Sequence, residues 1–341
     1  MITRRSVRIK AMQYIYAYEI TLQDSAVNGG TLMSGDTSSV TKKKTTIAPP
    51  ALSSFQNYLE KSISSVKDQY LYLLLHLREI ANFVETDAKV KASKFIKKET
   101  DVNFNTKLLS NVLVQYLNNN ALFQLEIKNA NTISHIDENS IRQLYKKLVE
   151  SEAYNDYLNN GSDFNVDEDR NIISYLLNAI MLEDEIFLAN TEECFTNWMD
   201  DAEFVVEAVN EVIQKSKNEL KLHFEKNSLK DKFKEINQFG IDLFNKTISH
   251  KLEHQQMIEP KLKNWDTDRL AIIDVILIRM ALSEFLYFES IPIKVTINEY
   301  LDISKEYSTP KSKDFINGVL DALMRELKDA DVLQKTGRGL L

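Results

Sequence analysis

The chain has 341 residues, 43% of them apolar and 27% charged, enough to build one large or two medium folded units with a real core. A formal net charge of −8 excludes a uniformly basic coat for nucleic acid, though not a local basic patch, because binding responds to nearby charge more than to the total. The single cysteine, Cys194, excludes an internal disulfide and a cysteine-based zinc site and fits a reducing, cytoplasmic setting.

With 8 Gly and 5 Pro in the whole chain, few breakers are left for tight turns, and the expected class is all-α. The spacing predicts a first helix over 4–22, with Val7, Ala11, Tyr14, Ile15, Tyr18 and Ile20 as its apolar stripe. Arg4, Arg5, Arg8 and Lys10 crowd its first turns, against the preference of the helix dipole. Two readings stay open for them, a frayed solvated start or a phosphate-facing arm. Residues 23–51 read as a flexible loop carrying Lys42, Lys43 and Lys44. Helical patterns follow over 52–93, 104–121, 139–157, 166–190 and 191–228, with Asp163 or Asn165 as one cap and Thr191 as another. A helix over 231–264 comes next, then an almost wholly apolar run at 271–282, which marks a central helix surrounded by others. Arg279 inside that run requires a buried ion-pair partner. The last two helices are expected over 294–307 and from Pro310 at the first helical position to Lys328. Gly318 falls in the middle of the latter, and close approach of a neighbouring helix is the expected compensation. The tail from Asp329 reads as loose.

Enzyme signatures are missing from the sequence. It has no Gly-rich nucleotide loop and no nucleophile elbow. His250 and His254 have metal-compatible helical spacing but lack the glutamate of the zincin pattern, and they read as two exposed histidines. The acidic clusters Glu183-Asp-Glu185 and Glu192-Glu193 lack the Glu-x-x-His elements of a bundle di-metal site and read as solvated faces. Cys194 has no candidate histidine partner and reads as a small core residue. No cofactor, no metal and no membrane span are expected, and the N-terminus lacks the apolar core of a secretory signal. More suggestive is the mixture of cations and rings at the two ends: Arg4, Arg5, Arg8, Tyr14, Tyr16 and Tyr18 at one, Lys311, Ser312, Lys313 and Phe315 at the other. Single-stranded RNA is bound by such phosphate contacts and stacking surfaces.

Trp265-x3-Arg269-x4-Asp274-x4-Arg279-x-Ala281, then Ile291-Pro-Ile-Lys294 through Asn298-Glu299, Ser304-Lys305, and Ser312-x2-Phe315-Ile-Asn-Gly-Val-Leu-Asp321, resemble the NusB family of transcription antitermination factors. The opening Arg4-Arg-Ser-Val-Arg8 through Ala11-Met-Gln13 and Tyr16 looks like that family's arginine-rich arm and first helix. The resemblance implies a pair of helical bundles and a non-enzymatic role. It implies binding of boxA RNA of rRNA operons together with the small-subunit ribosomal protein NusE, within the RNA polymerase antitermination complex. By the same resemblance, Arg4, Arg5, Arg8, Tyr16, Lys311, Ser312 and Phe315 would meet RNA, while Asp274 and Ile278 would lie on the partner-binding helix. Asn298, Glu299, Asn317 and Gly318 match the family's structural signature.

Two departures stand out. A long helical region, 52–230, is inserted between the arm and first helix (1–22) and the C-terminal part (231–328), with 329–341 as the tail. The turn Tyr307-Ser-Thr-Pro-Lys311 replaces the family's usual Phe-Gly and acidic residues. The alternative reading is a protein-binding helical scaffold in ribosome assembly, acting through the insertion. An rRNA methyltransferase is disfavoured, since no Gly-rich cofactor motif follows residue 328.

Overall fold

Short Asn- or Asp-capped helices alternate with long amphipathic ones in the computed structural model, and no strand occurs among the described residues. Those residues are 3–29, 51–93, 105–130, 132–159, 165–215, 220–222, 227–262 and 271–336. Lys42–Lys44, Asp163, Trp265 and Arg269 lie outside them. The α-helices are α1 (Arg4–Gly29), α2 (Leu52–Ser93), α3 (Val112–Asn119), α4 (Ala121–Asn129), α5 (Glu138–Glu150), α6 (Glu152–Asn159) and α7 (Val166–Tyr175). They continue as α8 (Glu185–Cys194), α9 (Trp198–Ile213), α10 (Asn227–Ser249), α11 (Lys251–Ile258), α12 (Ile272–Tyr287), α13 (Ile293–Tyr307) and α14 (Ser312–Asp329).

Two compact units result. One holds Thr3–Ile63 with Lys234–Leu341, the other Ser64–Phe233. The first turns of α2, read from the sequence as part of the insertion, therefore belong to the unit that contains both ends of the chain.

In that terminal unit α12 packs against α1, α13 and α14. Every residue from Ile276 to Phe285 is buried, as the all-round apolar run requires. Arg279 is 2% exposed and finds its partner: Nη1 donates to Glu19 at 2.5 Å and Nη2 to the Thr247 carbonyl at 3.1 Å. α1 begins with a reciprocal cap. The Ser6 amide donates to the Thr3 hydroxyl and the Thr3 amide to the Ser6 hydroxyl, both at 3.2 Å. Its start is not frayed, since Ser6, Val7, Arg8, Ile9 and Lys10 are all buried. Its end runs past the expected residue 22, with Thr21 and Ser25 hydroxyls donating to the Ala17 and Thr21 carbonyls.

Close helix approach occurs at a glycine, but at Gly240 rather than Gly318. A Cβ at Gly240 would collide with Val7 Cγ1 and come within 2.9 Å of Ile63 Cδ1, so only glycine lets α10 meet α1 and the start of α2 there. Gly318 faces solvent. Pro310 also falls outside its helix, because the turn through Thr309 and Lys311 delays α14 to Ser312.

The other unit breaks into more pieces than periodicity suggests, and the breaks are chemical. Asn111, Asn120, Asp137, Asn165 and Asp184 each accept a backbone N–H from the first turn of the helix that follows. The pattern over 166–190 divides at a π-helical turn, Leu176–Met181, before Asp184 starts α8. Thr191 is consequently not a cap. It sits inside α8 and donates to the Phe187 carbonyl at 2.7 Å. Cys194 is half-buried at the end of α8.

Candidate nucleic-acid interface

The sequence marks seven side chains at the two ends of the chain for RNA, and folding sorts them by burial. Arg8 goes inward. It is 2% exposed, and its guanidinium makes a two-pronged contact with the fully buried Glu284 carboxylate, at 2.7 and 3.0 Å. The same carboxylate accepts from the Thr296 hydroxyl at 3.0 Å and the Tyr300 phenol at 2.8 Å. The third Arg8 nitrogen reaches Glu299 at 3.3 Å. Burial opposes the Arg8 charge, but Glu284 more than offsets it, so the guanidinium is held protonated. Burial and then the Glu284 charge push the Tyr300 phenol well above its usual range, which keeps it a donor. In this structure the donors of Arg8, expected at RNA, are spent on the core.

Ser312 and Phe315, also expected at RNA, are 2% and 3% exposed. A ring so buried cannot stack on a base without opening the helix packing. The Ser312 hydroxyl donates to Asp274 Oδ2 at 2.7 Å, and the Ser308 hydroxyl to Asp274 Oδ1 at 2.5 Å. Asp274, 4% exposed in the first turn of α12, thus pins the α13–α14 turn from below. Ile278 is fully buried. Neither of the two presents itself to a partner. The apolar side chain that α12 does expose is Ile272.

Four of the expected residues remain at the surface. Arg4 lies 3.6 Å from Glu235, its guanidinium 5.5 Å from the centre of the Phe239 ring. Arg5 pairs with Glu306 at 2.5 Å and approaches Asp302 at 3.6 Å. The Lys305 ammonium, assisted by Arg5, holds the Asp302 carboxyl below its ordinary value. Glu306 lies in the last turn of α13, just before the turn that carries exposed Lys311, so the N-terminal arm is tethered beside that turn. Tyr16 is 40% exposed. Eleven positions after Arg5 it returns to nearly the same face of α1, roughly 16 Å further along.

The acidic partners of these arginines escape sequence reasoning. Glu306, Asp302 and Glu235 carry no motif and are remote in sequence. A phosphate entering here must exchange with Glu306 for the Arg5 guanidinium, so the face is a cation–carboxylate mosaic rather than a plain basic patch.

The histidine pair is also resolved. His254 is fully buried with both ring nitrogens lacking a partner, and only His250 reaches a carboxylate, Glu253, at 2.9 Å. No group of three or more metal-binding side chains occurs among the described residues. Nor is any helix among them long and apolar enough to cross a membrane.

Comparison with known proteins places this chain. The NusB family model matches residues 199–325. The chain is 46% identical over 103 residues to the transcription antitermination protein NusB of Salinibacter ruber, covering 30% of this chain and 64% of the relative. It is 44% identical over 103 residues to that of Chloroherpeton thalassium, covering 30% of this chain and 49% of the relative. Against that of Koribacter versatilis the identity is 40% over 107 residues, covering 31% of this chain and 73% of the relative. The chain thus spans about half to two thirds of the length of the first two. No solved structure matches. The family match stops short of α1, yet α1 packs against α12 in the same unit, and identity extends over nearly three quarters of one relative. On these grounds the chain belongs to the NusB family.

Proposed function

We propose that this chain is a non-enzymatic transcription antitermination factor that binds boxA RNA of rRNA operons together with the ribosomal protein NusE in the RNA polymerase antitermination complex. The observation that carries the reading is its 40–46% identity, over 103 to 107 residues, to proteins named for antitermination. The surface chemistry supports an RNA face reduced to Arg4, Arg5, Tyr16 and Lys311. Guanidinium and ammonium groups meet phosphates there, and Tyr16 offers a ring for a base. Arg8, Ser312 and Phe315 act beneath it by holding α1, the α13–α14 turn and α12 together. For the partner, exposed Ile272 replaces Asp274 and Ile278 as the contact on α12.

Filter binding of boxA RNA over a salt series, with and without NusE, tests the proposal. Wild-type protein binds the RNA with a steep salt dependence, and the R4A/R5A/K311A variant binds weakly with a flatter one. Equal affinity of the two proteins removes the RNA role of this face.

A further inference from the structure

In the unit formed by Ser64–Phe233, α8 and α9 leave an open groove of about 510 Å³. α9 supplies one wall with Trp198, Ala202, Val206 and Asn210, spaced four apart and so aligned along one edge of the helix. Leu182 and Leu188 supply the other. Leu182, Leu188, Ala202 and Val206 are each partly exposed and give the groove an apolar floor. Ile186 on α8 and Met199 on α9 are exposed as well, at 57% and 77%.

The rim is acidic. Glu203 and Glu207, one turn apart, line the groove and form no ion pair among the described residues, and no lysine or arginine lines it. This charge selects among possible occupants. Two copies of the chain meeting through this face would set carboxylate rows against each other. An anionic lipid surface or a nucleic acid would be repelled for the same reason. A helix with an apolar stripe flanked by lysine or arginine satisfies both features, because its stripe fills the floor and its cations reach the free carboxylates. From Trp198 to Asn210 the edge runs roughly 18 Å, about three turns of such a helix.

We infer that the α8–α9 groove is a docking site for a basic amphipathic helix of a partner protein. This is separate from the proposed RNA face, whose residues all lie in the other unit. The partner is recognised through Leu182, Leu188, Ala202 and Val206 by burial, and through Glu203 and Glu207 by charge.

The test uses the full chain and two labelled synthetic peptides of about four helical turns. Both carry the same leucine stripe, flanked by lysines in one and by glutamates in the other. Fluorescence anisotropy reads binding, circular dichroism checks folding of each variant, and sedimentation reads self-association. The expected result is preference for the lysine peptide, loss of about tenfold or more in affinity with V206E, and a reversed preference with E203K/E207K. Should V206E fail to fold, the charge reversal, which touches exposed side chains only, decides. Binding of neither peptide, or lysine-peptide binding indifferent to both variants, overturns the inference. So does a concentration-dependent dimer that V206E abolishes, since the occupant would then be a second copy.

Discussion

The Arg8 guanidinium and the Glu284 carboxylate, 276 positions apart in the chain, form a two-pronged ion pair in the centre of the terminal unit. Every acceptor direction of the carboxylate is used, two by Arg8 and one each by Thr296 and Tyr300. The pair therefore fastens α1 to α12 and α13. Its loss differs in kind from the loss of a surface arginine.

R8A leaves a buried, charged Glu284 without its counter-ion and costs about 3–5 kcal/mol of stability. R4A and R5A, whose partners are exposed, each cost about 1 kcal/mol or less. Urea denaturation of the three variants measures this, and an R8A midpoint equal to that of wild type would contradict the structural role.

RNA binding separates the same residues differently. Each phosphate left without its cation in R4A, R5A or K311A lowers the slope of log affinity against log salt by about 0.7 for a single strand. A folded charge-retaining variant such as Arg8→Lys keeps the wild-type slope, because Arg8 meets no phosphate. A slope reduced by R8K in protein of normal circular dichroism would return Arg8 to the interface.

The two mid-helix glycines respond in opposite directions to alanine. G240A drives a methyl group into Val7 and Ile63 and destabilises by about 1–3 kcal/mol. Exposed G318A removes only the helix penalty of glycine and stabilises by about 0.5–1 kcal/mol. Thermal melts of both proteins give the sign.

His254 makes the terminal unit sensitive to acid. Burial first, then the nearby Arg279 and His250 charges, lower its imidazole from 6.5 to about 4, while Glu253 acts weakly the other way. The unfolded chain takes up this proton below about pH 6.5 and the folded chain resists it. Stability is therefore complete above that pH and falls as pH drops toward about 4, by up to about 3 kcal/mol. His76 in the other unit is lowered to about 4 by burial and acts in the same direction. H254L, which replaces two unpartnered nitrogens with an apolar side chain, flattens the dependence between these limits in chemical denaturation across pH. An unchanged pH profile in H254L would show that the imidazole is not the source.

Asp274→Ala tests the pinned turn. Ser308 and Ser312 lose their shared acceptor, and the cost is about 1–3 kcal/mol. Amide exchange should quicken at Thr309 and Ser312 before it does in α12. Uniform exchange across both would mean that the turn is held by other contacts.

Much of this was legible along the chain. The helical class follows from scarce breakers and regular apolar spacing. The central position of α12 follows from its unbroken apolar run, and the buried pairing of Arg279 from the cost of an isolated charge there. The asparagine and aspartate caps at 111, 120, 137 and 184 were readable but were outweighed by periodicity, which runs straight across a capped break. The π-helical turn at 176–181 had no signal in Leu-Leu-Asn-Ala-Ile-Met.

The amino-acid sequence by itself determined the class of fold and carried the NusB kinship, because both rest on local spacing and on residues read in order. Tertiary structure alone decided which of the marked residues face outward. Arg5 and Arg8 are three positions apart on one helix, and no local property tells them apart. One meets Glu306 at the surface and the other Glu284 in the core, because burial of a charge is settled by where a carboxylate hundreds of residues away comes to rest.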